Sequence, residues 1–171
     1  LNEGRRSLGT MESKAVLSAF RIPVTQTVQA HSAAEALVAA STLGYPLAMK
    51  VASPQITHKS DVGGVRLNIT SAEAVRKSFG AILQEAAEAQ PEATLEGVTL
   101  ERMYRSHYGR ELMVGVLRDP VFGPVISFGS GGTSVEVLQD RAVALPPLNE
   151  TIIRGLIDRT RVARLLKRFR H

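Results

Sequence analysis

The sequence predicts an α+β fold in which helices pack as a layer on antiparallel sheets. Three observations carry that reading. Between residues 10 and 89, segments with helical apolar period alternate with short apolar runs of strand length. From Gly97 onward strand-like runs dominate: GVTLERMYR, RELMVGVLRD, GPVISFGS, SVEVLQD and RAVAL. Turn residues stand at the joints, as in the DPVFGP stretch that begins at Asp119. Early alternation followed by a run of strands is the pattern of helix-on-sheet layers.

In chain order, Thr10 or Ser13 caps a first helix with Ala15, Val16, Ala19 and Phe20 on one face. Pro23 fixes an extended backbone, and residues 24–30 read as a strand. Ser32 followed by Glu35 is a capping box for the helix AAEALVAASTL, which Gly44 closes. PLAMKVA is a buried strand, and GVRLNI is another after an intervening loop. Ser71 caps a helix over residues 71–89, with Val75, Phe79, Ile82, Leu83 and Ala86 on its apolar face. Pro146 and Pro147 end the strand-rich region, and Asn149 caps a final helix. We expect two subdomains, residues 1–96 and 97–171.

Composition excludes several classes. With 171 residues, 44% hydrophobic and 22% charged, the chain is an ordinary globular one. It has no tryptophan, three tyrosines and five phenylalanines, too few aromatic faces for a base-stacking platform. No cysteine is present, so disulfides and thiolate zinc sites are out. No apolar run approaches the roughly 18 residues of a membrane span, and LNEGRRSLGT is not a signal peptide, so the expected location is cytoplasmic, away from membranes. The net charge of +5 is concentrated in RTRVARLLKRFRH; without it, 15 cations face 16 acids. That tail reads as the solvated face of a helix, with Leu156, Val162, Leu165 and Phe169 among the core positions between cations, rather than as a nucleic-acid surface.

The segment SPQITHKSDVGGV, residues 53–65, places a histidine, a lysine, a serine and two glycines between two strands. A phosphate-holding loop needs convergent backbone amides, which Gly63 and Gly64 permit, together with a cation and a hydroxyl. Lys50, Lys59 and Ser60 supply these, although the Walker A spacing is absent and a plain hairpin turn has the same composition. His58 has three readings: a loop residue, a hydrogen-bond donor to phosphate, or a nucleophile that accepts a phosphoryl group on a ring nitrogen. A second glycine cluster, Gly129, Gly131 and Gly132, lacks the following helix of a Rossmann fingerprint and is either a flexible hairpin or part of a nucleotide site. Glu101 and Glu111 stand in successive strands among apolar residues, where a carboxylate needs a partner, a metal or a polar ligand. Asp119 reads as a turn residue; Glu136 and Asp140 flank the second glycine cluster. The histidines at 31, 58, 107 and 171 lack metal-ligand spacing.

Two long motifs, K-x-x-S-P-x-I-x-H-K-S-D-x-G-G-V from Lys50 and D-P-x-F-G-P…F-G-x-G-G-x-x-V-E from Asp119, together with ESKAVLSAFRIPV, carry a resemblance. The chain resembles the ATP-grasp domain of ADP-forming acyl-CoA synthetases, relatives of succinyl-CoA synthetase, from about Glu12 to Asn149. The resemblance implies an ATP-grasp fold with ATP or ADP held between two subdomains. It implies Lys50, Lys59, Ser60, Gly63, Gly64, Glu101, Glu111, Gly131 and Gly132 as nucleotide contacts, and His58 as a transient phosphoryl carrier. It implies magnesium with Glu136 and Asp140 as contributing ligands, and CoA bound on a partner domain or subunit.

The implied activity is the interconversion of acyl-CoA, ADP and phosphate with a carboxylic acid, CoA and ATP. The family's D-I-N-P-L stretch, which supplies magnesium ligands, has no counterpart before His171. The expectation is therefore a nucleotide-binding core incomplete at its C-terminus, inactive alone and dependent on a CoA-binding partner. The alternative is a ligand-sensing domain fused to a GNAT-type acetyltransferase, which the PPLN segment at 146–149 resembles.

Overall fold

A computed structural model of the chain describes residues 8–104, 109–132 and 139–167. The chain divides into two compact units, Leu1–Tyr104 and Arg105–His171.

The first unit contains helix α1 (Thr10–Ala19), strand β1 (Thr27–Ala30), helix α2 (Ala33–Leu43), strand β2 (Leu47–Val51), a 3-10 turn at Lys59–Val62, strand β3 (Val65–Ile69), helix α3 (Ala72–Ala89) and strand β4 (Val98–Arg102). The four strands form one antiparallel sheet in the order β1-β4-β2-β3. One face of this sheet presents Ala30, Leu47, Met49, Val51, Val98 and Leu100 to the apolar stripes of α2 and α3. On α3, Val75, Ile82 and Ala86 are buried, and Phe79 and Leu83 pack against the same cluster, as the helical period predicts. The opposite face carries Thr27, Gln29, Lys50, Thr99 and Glu101, whose register alternates with that of the core residues.

The caps read from the sequence are present. Ser32 Oγ accepts the Glu35 amide at 3.2 Å and Ser71 Oγ accepts the Ala74 amide at 3.1 Å. The Glu35 carboxylate reaches the amide of His31, not that of Ser32. The first helix departs from expectation. Its cap is Gly9, whose amide is taken by Glu12 at 2.7 Å, and none of its residues is buried. Phe20 and Val16 stay exposed; polar contacts of Lys14, described below, tie this helix down instead. The subdomain boundary expected between residues 96 and 97 also differs from the unit boundary after Tyr104. β4 is hydrogen-bonded to both β1 and β2, so it belongs to the first sheet.

The second unit comprises β5 (Leu112–Asp119), β6 (Gly123–Ser130), β7 (Arg141–Ala144), α4 (Glu150–Asp158) and α5 (Val162–Leu166), with the sheet order β5-β6-β7. Phe128, Leu156 and Val162 form its core with Ile126, Ala142 and Ala144. Asp119 closes the β5–β6 turn by accepting the amides of Val121 and Phe122 at 2.8 and 2.9 Å, as a turn residue should. Those bonds hold its carboxyl below the ordinary value. The expected strand SVEVLQD lies outside the described residues except for Gln139 and Asp140, which are not in a strand.

The single C-terminal helix expected after Asn149 is instead two helices. Asn149 caps the first, accepting the Ile152 amide at 2.9 Å. Thr160 then bonds back to the Ile157 carbonyl at 2.7 Å, and Asp140 accepts the amides of Arg161 and Val162, each at 2.7 Å. A carboxylate on two helix-start amides is a charge-assisted cap. Asp140→Ala is expected to destabilise this unit by about 1–2 kcal/mol, read from the urea midpoint of unfolding.

Candidate functional site

The residues 53–65 bridge β2 and β3, and their C-terminal end is fixed by backbone geometry. Val51 donates to the Gly64 carbonyl and Gly64 donates to the Lys59 carbonyl, both at 2.8 Å. Gly63 has a left-handed backbone, φ 65°. A Cβ on Gly64 would stand 2.6 Å from Val51 Cγ1 and 2.7 Å from the Lys59 carbonyl oxygen. Arg66 donates to the Gly63 carbonyl at 2.8 Å and forms an ion pair with Glu85 on α3, so the glycine pair is bound to the helix layer. The N-terminal end is held by Ile56, which is buried, and by Gln55 bonded to Thr94. Between these anchors His58 is exposed, with its carbonyl accepting the Asp61 amide at 3.1 Å. Lys59 is half-buried beside it and Ser60 is exposed. The loop is therefore a rigid base carrying one exposed imidazole.

Lys50 and Glu101 are brought together on the polar face of the first sheet. Thr27 and Ala48 flank Glu101 in the register, and Lys50 lies one position diagonally from it. Lys50 Nζ is 3.4 Å from Glu101 Oε2, while Lys14 Nζ from α1 donates to Glu101 Oε1 at 2.9 Å. Burial pushes the Glu101 carboxyl up. The hydrogen bond from Lys14 and the charges of Lys50 and Lys14 outweigh it and hold the group below its ordinary 4.5. A depressed folded-state pKa gives stability that is complete above about pH 4.5 and is lost as pH falls through the lowered value. The melting temperature of the wild-type chain should therefore fall more steeply between about pH 5 and pH 3 than that of Glu101→Gln. Parallel slopes would show that Glu101 has no such linkage.

Two adjoining clefts of about 290 and 370 Å³ open beside this face, between the start of α1 and the 53–59 segment. Both are lined by Gly9, Thr10, Ser53, Pro54 and Lys59; Thr99, the cross-strand partner of Lys50, lines the first and Lys14 the second. The first unit thus presents three lysines, a carboxylate and a serine along one polar surface. Lys14 was not among the expected site residues. Its partner lies 87 positions away, and no local pattern signals such a pairing.

In the second unit, Glu111, Gly131 and Gly132 are neighbours. The Glu111 carbonyl accepts the Gly131 amide at 2.8 Å, and a Cβ on Gly132 would press on the Glu111 carboxylate. Glu111 is exposed at the start of β5. Asp140, expected as a metal ligand, instead places both oxygens on the amides that start α5, and Glu136 lies outside the described residues. Among the described residues no group of three or more His, Asp or Glu side chains is arranged to hold a metal. None of their helices is long and apolar enough to cross a membrane.

Comparison with known proteins places this geometry. The acetate–CoA ligase [ADP-forming] I subunit beta of Pyrococcus furiosus is 43% identical over 145 residues, covering 85% of this chain and 62% of that subunit. The chain thus spans less than two thirds of that curated relative. Among solved structures, the dinucleotide forming acetyl-coenzyme A synthetase 1 of Ca. Korarchaeum cryptofilum, in complex with coenzyme A, Ca-AMPCP and HgCl+, superposes with a TM-score of 0.91. It is 39% identical, and the match covers 99% of this chain and 73% of that one. A second structure of that enzyme, with coenzyme A and Mg-AMPPCP and its phosphohistidine segment pointing towards the nucleotide binding site, gives a TM-score of 0.79. Its identity is 36%, over 99% of this chain and 71% of that one. The family match, to the ATP-grasp domain, runs over residues 1–171. With its antiparallel sheets, packed helices and glycine-anchored loop, the chain belongs to the ATP-grasp domain family.

Proposed function

We propose that this chain is the nucleotide-binding part of an ADP-forming acyl-CoA synthetase, in which His58 relays a phosphoryl group. The observation that carries the reading is the loop itself: an exposed histidine between a buried anchor at Ile56 and a glycine pair fixed to the sheet and to α3. The relatives named above are CoA ligases, and one solved relative has a phosphohistidine segment directed at its nucleotide site. They favour the ligase over an acetyltransferase-fused sensor.

In this reading a ring nitrogen of His58 attacks the phosphorus of an acyl phosphate. The N–P bond forms as the acyl O–P bond breaks, and the carboxylate leaves with the bonding pair. A terminal phosphate oxygen of ADP then attacks the same phosphorus; the N–P bond breaks and ATP forms. Phosphoryl transfer of this kind depends on positioning and charge neutralisation, which Lys50 and Lys59 supply; the amides of Gly63 and Gly64 are spent on the Ser60 and Lys59 carbonyls and shape the loop instead. CoA binds on a partner domain or subunit. Magnesium enters with the nucleotide; the described residues hold no cluster for it.

The test is thermal unfolding with and without Mg-ADP. A ligand at a hundred times its dissociation constant stabilises by about 2.7 kcal/mol, a rise of roughly 5–10 °C for a chain of this size. Lys50→Ala is expected to remove most of that rise. If the full-length protein shows no rise at all, the nucleotide reading fails.

A further inference from the structure

Lys14 is absent from the mechanism above, yet it is the most heavily engaged cation of the polar face. Its Nζ sits among four oxygens. It donates to Glu101 Oε1 at 2.9 Å, to Thr25 Oγ1 at 2.6 Å and to the Thr25 carbonyl at 3.2 Å, and it also contacts Thr27 Oγ1. Glu101 is therefore shared unequally. One oxygen is held by Lys14 and also accepts the Thr27 hydroxyl at 3.2 Å; the other faces Lys50 at 3.4 Å, the outer limit of a hydrogen bond. Exposure follows the same asymmetry: 13% for Glu101, 20% for Lys14 and 34% for Lys50. Lys50 is the loosely bound, solvent-facing member of the trio.

We propose that Lys14 is a positioning residue that neutralises Glu101 and so leaves Lys50 free to bind an anionic phosphate of the nucleotide. The inference rests on the reading of Lys50 as a nucleotide contact. Without Lys14, Glu101 is a half-buried carboxylate whose one remaining cation is Lys50. It draws Lys50 into a close pair, and its charge opposes the incoming polyphosphate. With Lys14 in place, the carboxylate is compensated before the nucleotide arrives, and Lys50 changes partners at little cost. Two lysines around one acid thus give the trio a net positive charge, where Lys50 and Glu101 without Lys14 would give none.

The experiment is calorimetric titration of the full-length protein with Mg-ADP, for wild type, Lys14→Gln, Lys14→Arg, Glu101→Gln and the double variant Lys14→Gln/Glu101→Gln. Lys14→Gln keeps a polar amide at this position but removes the charge, and is expected to weaken binding on the order of tenfold to a hundredfold. Lys14→Arg should stay within about threefold of wild type. In the Glu101→Gln background the same Lys14→Gln change should cost less than about threefold, because no acid remains to neutralise. An equal loss in both backgrounds, or failure of Lys14→Gln to fold, would overturn the inference by making Lys14 a structural residue; unchanged affinity in Lys14→Gln would overturn it by showing that the Lys14 charge does not govern Lys50. Absence of binding by wild type is a different result: it removes the nucleotide reading on which the inference stands.

Discussion

Full-length protein carrying His58→Asn, incubated with ATP labelled in its terminal phosphate, is expected to acquire no acid-labile label, whereas the wild type does. Acyl-CoA formation should fall on the order of a thousandfold or more, because asparagine keeps the size and polarity of the loop but has no nucleophilic ring nitrogen. Nucleotide affinity should stay within about threefold of wild type, since His58 is exposed and its contact with the loop is through its backbone carbonyl. That combination separates a covalent carrier from a phosphate-binding side chain. A histidine that only donated a hydrogen bond would weaken binding, and labelling would persist elsewhere. Retention of label in His58→Asn would remove the relay from this chain.

Gly64→Ala should markedly destabilise the first unit. The new carbon would meet Val51 at 2.6 Å and the Lys59 carbonyl at 2.7 Å, and neither is the far end of a flexible side chain. Both belong to the joint that fixes the loop to β2, so relief requires moving backbone. Overpacking of this kind costs about 1–3 kcal/mol, which for a unit of this size lowers the melting temperature by roughly 5–15 °C. Gly80→Ala is the control. It lies within α3 with nothing within 4 Å of the added carbon, and should stabilise by about 0.5–1 kcal/mol. If Gly64→Ala and Gly80→Ala melted alike, the loop would not be pinned as described.

What the sequence made readable is what depends on near neighbours. Ser32, Ser71 and Asn149 signal their helices because a cap acts over three residues. The loop stands out because glycines, lysines and a histidine fall within one short segment between two strands. The α3 face is legible from period alone. The features not seen in advance join distant positions. Lys14 meets Glu101 across most of the first unit, and Asp140 supplies from before β7 the cap that divides the last helix in two. β4 inserts between β1 and β2 rather than beginning the second unit. Apolar period identifies such a strand but carries no information on which edge it will fill. The exposed stripe of α1 shows the converse, a helix-like pattern whose burial the period suggests and the packing does not deliver.

The position of β4 also sets an order in time. β2 and β3 are joined by the loop at 53–65 and can pair as soon as both have left the ribosome. β1 has no partner in the sheet except β4, so Val28 must wait for Leu100 to be synthesised. At about 5–20 residues per second that is an interval of several seconds. During it the nascent chain holds a histidine loop on an unsupported hairpin and two bare strand edges, the condition most open to pairing with another chain. The half-built chain is thus at its most adhesive just before Glu101, the residue that pairs with both Lys14 and Lys50, is added.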